Sequence, residues 1–280
     1  MTELQNSILD VFMEFKRVCD ENNLRYYAIG GTCLGAIRHK GFIPWDDDID
    51  VAMPWEDYQR LRREWKHYVR APYQLLDFEQ CQHSDMLFLK LFNGSTTYIE
   101  EHVVGMPDRY TGIFMDIMPI VGVPDAEEEK ERLLKTCIRY LRLNRSRRFE
   151  FQFRPTLKAK LFSIVTKPLM LGKPFHYYSQ KYEEMISQYP FGATKRVLFP
   201  WRIPVRPPYK NVFPYAIFEE CATVPFEDTE ICVPKDYEQY LTMDFGDYRK
   251  LPPEDKRHGG HNAAVIDFHK SYKEYQEAGK

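Results

Sequence analysis

Four carboxylates fall within five residues: Asp46, Asp47, Asp48 and Asp50, directly after Trp45. In an extended segment side chains alternate, so Asp46, Asp48 and Asp50 share one face while Ile49 and Val51 point to the other, toward a core. Like charges on one face repel unless a cation sits between them. Hard cations with oxygen ligands do that, and Mg²⁺ takes one or two carboxylates plus substrate phosphates. An EF-hand is excluded, because its sixth and twelfth positions need Gly and Glu and this chain has Val51 and Asp57. A solvated acidic loop is the plain alternative, but such a loop rarely sits between Trp45 and Ile49-Val51.

Upstream, the apolar run Tyr26–Ile29 is broken by Gly30-Gly31. Glycine allows backbone geometry and close ligand approach closed to other residues. The amides of Gly30, Gly31 and Thr32, with the Thr32 hydroxyl, are suited to phosphate oxygens. Arg38 and Lys40 stand beyond them as counter-charges. The second landmark is Asp116, alone between Met115 and Ile117 in a run that reads as a buried strand. A buried carboxylate is costly unless paired or metal-bound; the alternative is an Asp that caps a nearby loop.

These groups need elements to hold them. Leu4, Ile8, Phe12, Phe15 and Cys19 keep the spacing of one helical face, predicting a helix over 3–21 beside the Tyr26–Ile29 strand. A short helix opens at Thr32 and runs to Arg38. Pro54 suits a first helical position, followed by a surface helix from Glu56 to Val69. Residues 86–92 read as a strand, with Asn93-Gly94 as a hairpin turn and Thr97–Glu100 as the return strand. Lys90 is one cation in that apolar strand, either snorkelling at a sheet edge or reaching phosphate.

From Asp125 to Tyr189 the chain reads as helical. Between Arg139 and Lys181 eleven Lys or Arg face a single acid, Glu150, with aromatics and aliphatics interleaved. Three readings fit 139–181: a peripheral membrane surface, an ordinary lobe with a solvated basic face, or a nucleic-acid surface. Residues 190–235 are proline-rich, favouring short edge strands and turns.

With 280 residues, 44% hydrophobic and 29% charged, the chain predicts a soluble globular protein. A formal charge of −2 gives no global attraction to nucleic acid, and none is expected as a partner. Six cysteines without C-x-x-C spacing speak against zinc and fit a reducing compartment. The first residues lack the pattern of a signal peptide, and no run approaches a membrane span. The expectation is a cytoplasmic protein, peripheral at the inner face of the membrane if 139–181 contacts lipid.

The order strand, Gly-Gly, helix, Asp-hydrophobic-Asp, then a third carboxylate on a later strand is similar to the nucleotidyltransferase superfamily. The residues Gly30-Gly31-Thr32, Leu34-Gly35-Ala36 and Arg38-His39-Lys40-Gly41-Phe42-Ile43-Pro44-Trp45-Asp46-Asp47-Asp48-Ile49-Asp50 resemble one branch of it, the LicD family. So do Phe245-Gly246-Asp247-Tyr248 and the segment Leu251–His258. That family includes bacterial phosphocholine transferases and, in animals, fukutin-type proteins that use CDP-ribitol. Two departures stand out: Trp55 where the family often has Arg, and Gly259-Gly260-His261 where a closer histidine pair is usual. His258 and His261 are therefore weaker site residues.

The resemblance implies an α+β fold with a nucleotidyltransferase-like mixed sheet, flanking helices and a helical insertion lobe. It divides the chain into a catalytic core at 1–124, a basic lobe at 125–200 and a completing part at 201–280. It implies an enzyme that transfers a phospho-alcohol from a CDP-activated alcohol donor to a glycan or lipid-linked glycan, releasing CMP. Asp48, Asp50 and Asp116 would be catalytic and, with Asp46, would hold Mg²⁺ (or Mn²⁺). Gly30, Gly31, Thr32, Arg38, Lys40, Lys90 and Tyr248 would bind substrate. A nucleotidyl transfer that releases pyrophosphate, or a ribitol- or glycerol-phosphate transfer, is the alternative. The aromatic residues Trp45, Trp55, Tyr237, Tyr240, Phe245 and Tyr248, with Asp236, Asp244 and Asp247, suggest a wall for choline.

Overall fold

A strand of ten consecutive buried residues, Phe114–Val123, runs through the middle of a seven-stranded mixed sheet. Its sequence, FMDIMPIVGV, is apolar on both faces, as a central strand covered on both sides must be. The architecture comes from a computed structural model, which describes residues 1–77, 81–83, 87–148, 156–202 and 211–278. Met86, Phe149–Arg154 and Pro204–Pro208, which enter the expectations above, lie outside the described residues.

The strands are β1 (Tyr27–Ala28), β2 (Asp50–Pro54), β3 (Tyr73–Asp77), β4 (Leu89–Asn93), β5 (Thr97–Glu100) and β6 (Phe114–Val123). They continue with β7 (Arg196–Leu198), β8 (Val212–Pro214), β9 (Cys221–Phe226), β10 (Thr229–Pro234) and β11 (Ala263–Asp267). The helices are α1 (Glu3–Asn22), α2 (Gly30–His39), α3 (Trp55–Tyr68) and α4 (Glu127–Arg148), then α5 (Leu157–Thr166), α6 (Tyr177–Ile186), α7 (Tyr237–Phe245) and α8 (Tyr272–Ala278). The fold class is α+β, as expected. The main path of the sheet is β1-β2-β6-β4-β3, with β7 and β8 joined to the far part of β6. Strand β2 is parallel to β6, and β4 is antiparallel to it.

Helix α1 forms as its periodicity predicts and buries Ile8, Phe12, Phe15 and Cys19. Thr2 caps it, and Gln5 completes a capping box. The same Gln5 also reaches the acidic loop, donating to the carbonyls of Asp46 (3.0 Å) and Ile43 (3.3 Å). Helices α4, α5 and α6 lie in sequence between β6 and β7. In α4 acids fill the first turn and arginines the last, complementing the helix dipole.

Four local expectations need correction. Helix α2 opens at Gly30 rather than Thr32, so the double glycine is its first turn. Residues 46–49 are irregular, and the acidic strand begins only at Asp50. Pro54 closes β2 instead of opening the next helix. The hairpin across Asn93-Gly94 does not form: β4 is taken by β3 and β6, while β5 pairs with β11. Asn93-Gly94 does turn the chain, but a turn does not dictate that its flanks pair.

Candidate active site

Parallel pairing of β2 with β6 sets Asp50 directly opposite Asp116, and antiparallel pairing of β4 sets Lys90 opposite Asp116 from the other side. Three residues distant in sequence are thus fixed in one row by sheet register alone. Lys90 is 3% exposed, with Nζ 3.2 Å from Asp116 Oδ1 and 3.6 Å from Glu100 Oε2. It also lies 3.2 Å from the Phe114 ring centroid. This is a buried cation, which removes the snorkelling reading.

The acidic loop folds over the first turn of α2. Gly30 has φ +55°, a conformation that favours glycine, and a Cβ there would lie 3.7 Å from Asp50 Oδ2. A Cβ on Gly31 would lie 2.9 Å from Asp46 Oδ2, so glycine admits that carboxylate. Thr32 Oγ1 accepts from the Asp50 amide at 2.8 Å and ties the helix to the acid strand. The Gly30 amide donates to Tyr240 Oη at 2.8 Å, so it is not open to a phosphate. First-turn amides of a helix lack intrahelical acceptors, which leaves Gly31 and Thr32 to offer theirs.

Asp46, Asp48, Asp50 and Asp116 lie near enough to act on one another electrostatically, although of the three acids in the motif only Asp50 is in a strand. Burial, helped by Asp48 and Asp47, pushes the Asp46 carboxyl up to about 7. Burial with Asp48 and Asp116 raises Asp50 well above the carboxylate range. Asp116 rises to about 6: burial lifts it, Lys90 and His261 pull it back, and Asp48 adds to the lift. These shifts express one fact, a set of carboxylates crowded out of water.

The structure adds three residues that sequence reasoning missed or undervalued. His261 Nε2 lies 3.0 Å from Asp48 Oδ2, and its Nδ1 lies 2.7 Å from Glu100 Oε1. Burial opposes its charge, but the two carboxylates outweigh burial and raise it to about 10, so both nitrogens donate. Glu100 goes the other way: burial would raise it, yet His261 and Lys90 hold it at about 2. Asp47, left out of the predicted site, accepts from the amides of Gly260 and His261 at 3.0 Å each and pins the loop that carries the histidine. Ligand-type atoms of Asp47, Asp48 and His261 lie within 4.8 Å of one another. Both Asp47 oxygens already accept amides and His261 already bridges two carboxylates, so this trio is a locked hydrogen-bond network.

The only sequence signal for this network was the His258…His261 pair. His258 is exposed, and among the described residues its ring meets only the Gly259 carbonyl.

The remaining expected residues separate. Arg38 donates to the carbonyls of Tyr248 (2.8 Å) and Lys250 (3.3 Å), holding the C-terminal loop against α2. Lys40 ends α2 in a left-handed conformation, is exposed, and has no carboxylate partner among the described residues. Tyr248 is buried and, with Leu34, Arg38, Trp45 and Phe245, lines a cavity of about 480 Å³. Tyr240 is fully buried under Gly30 and is no part of an aromatic wall. Trp55 stacks on Tyr58 at the end of β2 away from Asp50. Neither can serve the choline wall that the sequence suggested.

A family model described as LicD/FKTN/FKRP, nucleotidyltransferase domain, matches residues 23–119, the span from β1 through Asp116. A lipopolysaccharide cholinephosphotransferase LicD of Haemophilus influenzae is 30% identical over 277 residues, covering 93% of this chain and 96% of that protein. Uncharacterized proteins of Rickettsia prowazekii and Rickettsia typhi are each 38% identical over 47 residues, about 17% of this chain. A likeness that runs the length of both chains and contains every residue of the carboxylate row has one reading: this chain belongs to the LicD family.

Proposed function

We propose that this protein transfers phosphocholine from CDP-choline to a hydroxyl of a cell-surface glycan or its lipid-linked precursor, and releases CMP. The observation that carries the reading is the convergence of Asp46, Asp48 and Asp50 with Asp116 and Lys90. It is joined by full-length similarity to a relative named as a lipopolysaccharide cholinephosphotransferase.

The carboxylate row fits a hard divalent cation such as Mg²⁺ or Mn²⁺. Its donors are all oxygen, its members raise one another's proton affinity, and buried Asp116 Oδ1 makes an ion pair with Lys90 but accepts no hydrogen bond of good geometry. Asp48, Asp50 and Asp116 would hold the ion, with Asp46 as a further ligand or a support. Bound there, the metal supplies charge neutralisation for the diphosphate.

The chain's own groups do the rest. Amides of Gly31 and Thr32 and the Lys90 ammonium face phosphate oxygens. His261, held charged by Asp48 and Glu100, keeps Asp48 oriented. In the reaction the acceptor oxygen bonds to the choline-bearing phosphorus. The bond from that phosphorus to the bridging oxygen breaks, and CMP leaves with the electron pair. The acceptor proton passes to Asp116 or to a water it orients.

Trp45, Phe245 and Tyr248 around the cavity, with Asp247 at its wall, suit a quaternary ammonium, which is held by aromatic faces and carboxylates. Among the described residues no helix is long and apolar enough to cross a membrane. On this reading the protein belongs to the cytoplasm, working against the inner membrane face.

Offering CDP-choline, CDP-ribitol and CDP-glycerol with Mg²⁺ and following CMP tests the reading. CDP-choline should give the fastest release. Pyrophosphate production from CTP, in place of CMP release, would support nucleotidyl transfer instead, and faster release from CDP-ribitol would reassign the alcohol.

A further inference from the structure

Helix α5 is turned with its hydrocarbon outward. Leu157, Leu161, Ile164 and Val165 follow the spacing of one helical stripe, and they are 72%, 54%, 57% and 76% exposed. The stripe continues through the following 3-10 turn and beyond it, where Leu169 and Leu171 are 47% and 74% exposed. The residues turned inward are small or polar. Thr166 is buried, its hydroxyl 2.8 Å from that of Ser146 on α4, and Ala159 and Ser163 are half-buried. A helix on a soluble surface does the reverse. Single exposed leucines are ordinary, but a contiguous apolar patch marks an interaction site.

Charge identifies the partner. Residues 157–173 contain four lysines, Lys158, Lys160, Lys167 and Lys173, and no acid. At ~100° per residue, Lys158 and Lys160 flank the apolar stripe on its two sides. Exposed Arg139 and Arg142 on the neighbouring α4 add to the same sign. An apolar stripe edged by cations matches the interface of an anionic bilayer, where acyl chains take the stripe and phosphates take the lysines.

The lobe is also fastened on the side of the molecule that holds the site. Arg148, at the end of α4, donates to the Cys81 carbonyl (2.6 Å), and the Cys81 thiol donates to that of Asp108 (3.1 Å). Arg109, the next residue, lies 3.4 Å from His102, which is 3.9 Å from Glu100.

We propose that α5 and the turn after it form a membrane-docking surface for anionic phospholipid. The proposal goes beyond the transfer reaction and stands without it, since binding to lipid needs no turnover. The test is flotation of the purified full chain with vesicles of phosphatidylcholine alone or mixed with phosphatidylglycerol. Binding should require the anionic lipid and weaken at least tenfold at ~0.5 M salt, where screening shortens to about 4 Å. The double variant Leu161→Gln/Val165→Gln, which keeps every charge, should lose at least tenfold in binding with unchanged circular dichroism and melting temperature. No binding of the wild type to anionic vesicles at low salt overturns the proposal. So does undiminished binding of the double variant, or a wild-type dimer in gel filtration that the double variant abolishes while vesicles go unbound.

Discussion

Two regions break the usual rule of burial in opposite directions. Around Asp116 the charges are inside: Asp116, Lys90 and Glu100 are 4%, 3% and 8% exposed. On α5 the hydrocarbon is outside, with Val165 at 76%. The buried charges are tolerated because each faces another at close range: Lys90 with Asp116 and Glu100, His261 with Asp48 and Glu100. What remains unbalanced is the excess of carboxylate, where the proposed cation would sit. The exposed hydrocarbon has no such partner among the described residues. One departure is resolved mostly from inside the protein, and the other, in the docking proposal, by a lipid surface outside it.

Removing a carboxylate at the buried end should have the largest effect. Asp48→Asn or Asp116→Asn should cut CMP release on the order of a thousandfold, since several kcal/mol of transition-state charge stabilisation is at stake. Circular dichroism should stay unchanged, and near-normal release by either variant would remove that residue from the site. Glu100→Gln, which acts only through His261 and Lys90, should cost about 10–100-fold. Its discriminating readout is a weaker midpoint for Mg²⁺ activation, which a purely structural residue would not shift.

Stability sharpens the contrast next. Ile117 on β6 is fully buried, so Ile117→Ala should destabilise by about 3 kcal/mol through lost burial and a cavity. Leu161→Gln on α5 removes comparable hydrocarbon and should change stability by less than ~0.5 kcal/mol. Urea melts of the two variants measure both, and a large loss for Leu161→Gln would mean that the α5 face packs on protein.

A further effect concerns a charge pair away from both regions. Glu14 on α1 accepts from Arg17 at 2.7 and 2.9 Å and from the Arg70 amide at 2.7 Å. Burial raises its pKa, but Arg17 and Arg70 outweigh that and leave it below the usual value. A depressed carboxyl stabilises the fold above its unfolded pKa, and the contribution is lost as pH falls through the folded one. Stability should therefore drop below pH ~4.5 with a contribution from Glu14 of about 1 kcal/mol, discounted because Arg17 is partly in water. Urea melts of Glu14→Gln between pH 3 and 7 should show that part of the slope gone.

The pieces that local pattern determines were legible in the sequence. The periodicity of α1, the continuous apolar run of β6, Asp116 within it and the Gly-Gly-to-acid motif all follow from residue order. So does the basic, apolar character of the segment around α5. What sequence could not supply is which hidden residue meets which, because periodicity reports burial and not partners.

Glu100 and His261 lie 161 residues apart and meet because β11 pairs with β5, setting Ala263 opposite Glu100. Gly30 and Tyr240, 210 residues apart, meet because α7 packs on α2. The failed hairpin at Asn93-Gly94 has the same origin: the turn is local chemistry, but β4 joins β3 and β6 instead of β5. The orientation of α5 was equally invisible, since its amphipathic pattern is the same whether the stripe faces a core or a bilayer. Only tertiary packing, by taking Thr166 to the inside, decides that it faces out.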